Sequence, residues 1–446
     1  MRMMWTDEQE QVVTGACANR VIFAAPGSGK TAVLTAHVHH LLSTGHMRGR
    51  EIAVLTFTRQ AASELKHRLR ADNGLPAEEI EALRVGTFHS QVFRALLESR
   101  VWVPVPLHAS EQMDVMRTAM EMSGMEPSPV NVRKMMAELT KQKSVWPQSK
   151  VPRSLRRTFA AYERMKRQRN RCDLDDLLLA MCGMVEDESR WKRVSWLHSL
   201  RYILVDEFQD TNAVQWYILQ RLCRLSGAKL CVVGDDDQSI YGFRGASPRW
   251  LLGFSKAMPE TEEVILSRNF RSCSRIIAYS RRLIEHNRAR VGKPIVAVRE
   301  QAGLCRALSW STETAEAEGV ARLVCAEKTS SVAVLARTRR QLMSVYQALP
   351  VSIRRGVGFH TLHEAKGREW DVVHIVGAVG NNPYLSWQAW NRDHPDDTAR
   401  SEEERRLFYV GMTRARFRLF IHVPGQCRGR HCLPIEYVEE SGLSLS

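Results

Sequence analysis

Ala24-Ala25-Pro26-Gly27-Ser28-Gly29-Lys30-Thr31 decides the fold. The apolar run at 21–25 leads into it, and a helical pattern follows. Glycines let backbone N–H groups curl round an anion with no side chain in the way. The N-terminus of the helix that follows adds a favourable dipole. In such a loop Lys30 reaches the β- and γ-phosphates, the Thr31 hydroxyl ligates magnesium, and Ala25, Pro26, Gly27, Ser28 and Gly29 form the cradle. The strict pattern wants Gly where Ala24 stands. With GSGKT intact between strand and helix, a phosphate site is favoured over a chance Gly-rich turn.

An acidic partner lies downstream, at Leu204-Val205-Asp206-Glu207-Phe208-Gln209-Asp210. A carboxylate at a strand end, next to a magnesium-bound triphosphate, holds the metal's shell, and Asp206 fits that role. Glu207 beside it fits a general base taking a proton from the attacking water. Together the two segments indicate a magnesium-dependent nucleoside triphosphatase.

Around them, apolar runs at 21–25, 51–57, 202–205 and 230–233 alternate with helical patterns such as 60–69. That alternation predicts an α/β fold with a parallel sheet and a ligand at its carboxyl edge. From about 89 to 198 the pattern is helical. Between Asn131 and Arg171 thirteen Lys/Arg face two Glu. This is either a solvated helical face or a nucleic-acid surface. After about 264 a second α/β pattern begins, with strands expected at 264–266, 331–335, 372–376 and 419–422 and helices at 274–287 and 315–327. The tail after 423, with its Pro, Gly and Ser, is expected to be partly loose.

The chain has 446 residues, which allows two to four domains. Its 64 Lys+Arg against 49 Asp+Glu leave a net charge of +15, which favours a polyanionic partner. No apolar run reaches the roughly 18–20 residues of a spanning helix. The charged N-terminus lacks a signal-type stretch, so a cytoplasmic protein is expected. The ten cysteines form no CxxC pair, and reduced thiols fit better than a disulfide scaffold. His422, Cys427, His431 and Cys432 offer zinc-type donors. Adjacent His431 and Cys432 make awkward ligands, so plain thiols are the default.

In order along the chain, these segments resemble the superfamily 1 DNA helicases of the UvrD/PcrA/Rep type. The resemblance runs through TDEQ (6–9), the phosphate loop, TFTRQAA (56–62), GTFHS (86–90), DEFQDTN (206–212), GDDDQSIYGFRGA (234–246), LSRNFRS (266–272), TLHEAKGRE (361–369) and EEERRLFYVGMTRAR (402–416). It implies two RecA-like domains: a first at 1–88 and 199–265, interrupted by a basic helical insertion at 89–198, and a second at 266–423, followed by a tail at 424–446.

By position, the resemblance gives Gln9 the reading of adenine and Gln238 the sensing of the γ-phosphate. It makes Arg271 and Arg414 arginine fingers, stacks Phe270 on adenine where the family usually has Tyr, and lets Glu369 hold the ribose. Phe57, Tyr241 and Phe243 are the rings expected to stack on DNA bases, unless they simply pack the core. Thr58, His89, Arg244 and His363 are the expected backbone contacts or coupling residues.

The activity implied is an ATP- and magnesium-dependent 3′→5′ helicase and translocase acting on single-stranded DNA and ss/ds junctions, away from membranes. The short stretch between Ser272 and Thr361 leaves no room for the family's large helical accessory insertion. A minimal motor of that kind either translocates and unwinds weakly, relies on a partner protein that stimulates unwinding, or runs unrestrained. A translocase that strips proteins, or a non-motor loader that uses ATP as a switch, stays open as an alternative. Arg368 departs from the family's apolar residue. Tyr384, Trp387 and Trp390 in an atypical loop either grip DNA or pack that loop.

Overall fold

A computed structural model describes residues 5–71, 74–99, 104–148, 150–327, 331–380, 382–384 and 398–446. By their contacts these residues form two units. The first takes the chain up to Phe23, then Lys30–Gly234 and Tyr241–Val264. The second takes Ala24–Gly29, Asp235–Ile240 and Ile265–Ser446.

The first unit is built on a six-stranded sheet in the order Arg84–Thr87, Ile52–Thr56, Tyr202–Val205, Lys229–Gly234, Asn19–Ala24, Thr261–Leu266. The pairings among the first five strands are parallel. Val21, Ile22, Phe23 and Ala24 are all buried, as strands covered on both faces require. Parallel pairing brings the carboxyl ends of the strands to one edge, where the chain enters the phosphate loop and Asp206. The helix Ala213–Ser226 follows the strand Tyr202–Val205 and its acidic end. Asn212 caps its start in a reciprocal bond with Gln215, and Gly227, at φ 72°, ends it in the left-handed conformation that glycine adopts freely.

The helical stretch includes Ala109–Met122, Pro129–Lys143 and Arg156–Gln168, around a core of Val115, Met116, Met120, Val132, Leu139 and Tyr162, and then Leu174–Glu186. Its charge needs a correction. Lys143 and Lys166, two of the thirteen cations, are buried. Lys143 Nζ stands 2.8 Å from Asp173 and 2.6 Å from both Asp176 and Glu163. Lys166 Nζ stands 2.6, 2.5 and 3.0 Å from the same three carboxylates. Buried charges persist only when paired in this way. These two lysines hold the insertion together and add nothing to a surface for DNA.

The second unit carries a five-stranded, wholly parallel sheet in the order Leu304–Trp310, Ala415–Pro424, Trp370–Val376, Val332–Ala336, Val357–Thr361. The helices Ser274–Ile284, Glu313–Cys325, Arg339–Ala348 and Thr398–Met412 accompany it. The chain is thus α/β with two parallel sheets, the RecA-like architecture expected. Short strands and helices account for the described residues between Ser272 and Thr361, with no large helical insertion among them.

The tail differs from expectation. Gln426–Cys427 and Arg430–His431 form an antiparallel hairpin, and Glu436–Glu440 is a helix. Ser446 then exchanges backbone bonds of 3.0 Å with Ala307 and Ser309. The tail is docked because it covers the edge strand Leu304–Trp310, whose unpaired backbone groups need partners. The zinc donors do not converge. His422 accepts from Trp310 Nε1 at 3.1 Å and bonds His374 Nδ1 at 3.0 Å, while His431 is exposed and Cys427 and Cys432 are buried thiols. Among the described residues, no helix is long and apolar enough to cross a membrane.

Candidate active site

The phosphate loop is shaped by its glycines. Gly27 and Gly29 have φ of 66° and 79°, where a side chain is strained. A Cβ on Gly27 would stand 2.7 Å from Arg271 Cβ, so only glycine fits. The loop is pinned within the second unit. Asn269 Nδ2 donates to Pro26 O at 2.6 Å, the Phe270 N–H to Gly27 O at 3.0 Å, and the Ala25 N–H to Leu266 O at 2.9 Å. Ser28 is buried inside the loop. The Phe270 ring is 38% exposed, available to a flat partner.

Lys30 opens the helix Lys30–Ser43, and its Nζ stands 3.6 Å from Glu207 Oε1 in the first unit. Thr31 follows it, half-buried. Asp206 ends its strand, and its Oδ1 accepts from the Glu207 N–H at 2.9 Å. Glu207 itself sits at φ 52°, a left-handed conformation uncommon outside glycine. Strain of this sort persists where the surroundings over-determine it, often at functional sites. Here Lys30 fixes one carboxylate oxygen, and Gln209 Nε2 donates to the other at 2.5 Å. Gln209, wholly buried, is a residue that sequence reasoning passed over. Its place two positions after Glu207 was the available signal. Gln9 is buried, and its Oε1 accepts from the Thr6 N–H at 3.1 Å in a capping box.

In the second unit Gln238 and Arg414 meet. Arg414 Nη2 donates to Gln238 Oε1 at 3.1 Å, and its Nε donates to Val410 O at 2.8 Å. Lys366 Nζ donates to Gln238 O at 2.8 Å. Arg271 points to Glu369 instead, with Nε 2.6 Å from Oε2. Arg416 grips the other oxygen of Glu369. Burial works against the charge on Glu369, but Arg416 and Arg271 outweigh it and hold its carboxyl below the usual range. Arg416 was not anticipated from the sequence; its place two residues after Arg414 was the only hint.

The expected DNA contacts in the first unit also gather. The rings of Phe57 and Tyr241 stack, with centroids 5.1 Å apart and planes 22° apart. Phe243, 49% exposed, meets Tyr241 edge-on at 5.9 Å. The Arg244 guanidinium lies 5.2 Å over Tyr241 and 5.5 Å over Phe243. Burial, and then the charge of Arg244, lower His89 to about 4, so its imidazole is neutral at pH 7. Phe57, His89, Tyr241 and Arg244 line a cavity of about 360 Å³ together with Gln112, Thr140 and Asp175 of the helical stretch. Thr58 is exposed beside it and caps the next helix by accepting from the Ala61 N–H.

His363 belongs to the second unit, where its carbonyl accepts from the Lys366 N–H. The Arg368 backbone carbonyl accepts from Arg414 Nη1 at 3.3 Å, a bond that any residue there would make, while the guanidinium that departs from the family pattern lies 3.4 Å from His360 Nε2. Tyr384 donates its hydroxyl to Glu313 at 2.5 Å and lies under Arg340 and Arg428, a packing role. Trp387 and Trp390 lie outside the described residues.

Residues 5–259 match the family model of the UvrD/REP helicase N-terminal domain, more than half of the chain. The chain belongs to the UvrD/REP helicase family. Residues 349–424 match the UvrD-like helicase C-terminal domain. Among relatives of this UvrD/REP chain, YjcD of Bacillus subtilis is 31% identical over 304 residues, covering 66% of this chain and 40% of YjcD. The ATP-dependent DNA helicase PcrA of Staphylococcus epidermidis is 28% identical over 402 residues, covering 84% of this chain and 54% of its own length. PcrA of Staphylococcus aureus matches at 28%, with 84% and 53% covered. The chain spans about half the length of the curated relatives it matches.

Proposed function

We propose that this chain is an ATP-dependent motor on DNA. It hydrolyses Mg-ATP, moves 3′→5′ along single-stranded DNA and opens duplex at ss/ds junctions. The observation that carries this reading is the 3.6 Å approach of Lys30 Nζ to Glu207 Oε1. It sets a phosphate-binding cation beside a proton-accepting carboxylate at the foot of a loop that only glycine can shape. PcrA's naming as an ATP-dependent DNA helicase supports the same reading. The domain plan goes with it: 1–88 and 199–265 as the nucleotide-binding domain, 89–198 as its helical insertion, 266–423 as the second RecA-like domain and 424–446 as the tail. A cytoplasmic setting suits such a motor.

The residues divide the work. The loop's N–H groups and Lys30 bind the phosphates of the substrate, Gln9 reads adenine, and Phe270 stacks on it. Thr31 and Asp206 are hard oxygen donors at a helix start and a strand end, a set that fits magnesium. When bound there, magnesium neutralises charge on the phosphates. Glu207 takes the proton of the attacking water, oriented by Gln209. Gln238 senses the γ-phosphate, and Arg414 stabilises the charge that develops on it. Arg271 joins once Glu369 turns to the ribose. Phe57, Tyr241, Phe243 and Arg244 grip bases and backbone irrespective of sequence, which suits a stepping motor.

The test is ATP turnover with and without single-stranded DNA, run beside unwinding of 3′-tailed and 5′-tailed duplexes and displacement of a protein block. DNA-stimulated turnover, lost in Lys30→Ala, and unwinding of the 3′-tailed substrate are expected. Turnover that survives Lys30→Ala would refute the site. Protein displacement without unwinding would narrow the activity to translocation.

A further inference from the structure

Asp235, Asp236 and Asp237 follow the strand Lys229–Gly234, and all three are wholly buried. Carboxylates do not stay buried without cations. Two are supplied from 290–293. Arg290 forks onto Asp237, with Nε 3.0 Å and Nη2 2.9 Å from its oxygens. Lys293, also buried, donates to Asp235 Oδ1 at 2.9 Å and to Asp236, and stands 3.1 Å from Asp237.

The other oxygen of Asp235 has a second task. Its Oδ2 accepts from Gln238 Nε2 at 2.6 Å, while Gln238 Oε1 accepts from Arg414 Nη2 at 3.1 Å. This fixes the carboxamide. A flipped amide would set its oxygen against a carboxylate and its NH₂ against a guanidinium, two repulsive contacts. The network therefore has one solution, and Lys293 stands at its origin.

We propose that Lys293 is a positioning residue for ATP hydrolysis: it locks Asp235 so that Asp235 holds the Gln238 carboxamide facing Arg414. This rests on the reading of Gln238 as the γ-phosphate sensor. Lys293 touches no substrate and acts only through Asp235 and Gln238. Arg290 offers a matched control. It neutralises the same acidic cluster, but its partner Asp237 makes no bond to the Gln238 side chain.

The experiment measures ATP turnover on saturating single-stranded DNA for wild type, Lys293→Met, Arg290→Met, Gln238→Ala and the pair Lys293→Met/Gln238→Ala. Lys293→Met is expected to lower kcat roughly 10- to 100-fold with little change in KM for ATP. Arg290→Met is expected to keep kcat near wild type. The pair is expected to be no slower than Gln238→Ala alone, because both changes act at one point. Full kcat in Lys293→Met, an equal loss in Arg290→Met, or a multiplicative loss in the pair overturns the proposal. Should Lys293→Met not fold by circular dichroism, Lys293→Met/Asp236→Asn restores the charge balance while leaving Asp235 unlocked, and is read by the same criteria. A wild-type chain without DNA-stimulated turnover overturns the sensor reading and this proposal with it. Turnover that ignores Lys293→Met overturns the positioning role alone.

Discussion

Arg414 and Gln238, 176 positions apart in sequence, share a buried hydrogen bond of 3.1 Å from Nη2 to Oε1. Arg414 also donates to the carbonyls of Val410 and Arg368 and to the Thr413 hydroxyl. A planar fork makes all these bonds at once, and an ammonium does not. Arg414→Lys is therefore expected to lower kcat for ATP by roughly 10³-fold or more, the range of arginine fingers. Single-turnover hydrolysis measures it, and a loss of only a few-fold would show that Arg414 is architectural.

Glu207 is held between Lys30 and Gln209 in a strained backbone conformation. Glu207→Gln keeps the shape and removes the carboxylate proposed to take the proton. Hydrolysis is expected to fall roughly 10²- to 10⁴-fold while nucleotide binding persists. Binding of a fluorescent ATP analogue beside turnover separates the two, and loss of both together would assign Glu207 to binding.

Gln209→Ala removes one hydrogen bond to Glu207 and keeps its carboxylate. An intermediate loss of kcat, smaller than that of Glu207→Gln, is expected with KM unchanged. Wild-type kcat in this variant would mean that Gln209 does not orient the carboxylate.

Tyr241 stacks on Phe57 and lies under Arg244. Tyr241→Ala is expected to weaken single-stranded DNA binding by about 1–3 kcal/mol, equally for different sequences. Fluorescence anisotropy on homopolymer and mixed strands reads this. A sequence-dependent loss would argue against a stacking platform.

Asp175 lines the cavity beside these rings. Burial first, and then the neighbouring Asp173 charge, push its carboxyl up to about 7, against a hydrogen bond from Thr140. An unfolded Asp titrates near 4. Between about pH 4 and 7 the folded chain thus holds a proton that the unfolded chain releases, and stability is lost as pH rises through that window. Asp175→Asn is expected to raise the melting temperature at pH 8 and to converge on wild type below about pH 4. An equal difference at both pH values would place the origin elsewhere.

Much of the molecule is legible along the chain. The strand–loop–helix at 21–43 and the acidic end of Tyr202–Val205 follow from apolar runs and glycines, because short-range sterics and burial on both faces decide them. The second sheet is legible for the same reason, in runs such as Val332–Ala336. The docked tail is not legible in this way, because its Pro and Gly suggest looseness, while the edge strand Leu304–Trp310 that it covers lies more than a hundred residues away.

By itself the sequence determined which residue types stand at each strand end and in what order: a glycine cradle, an acid pair, a glutamine and two arginines. Only the tertiary structure decided who meets whom. Nothing local says that Lys143 and Lys166 turn inward to Asp173, that Glu369 occupies Arg271, or that Lys293 reaches Asp235. The physical reason is that a buried charge takes whichever counter-charge the packed chain brings within about 3 Å, and that choice is made by the folding of distant segments onto one another.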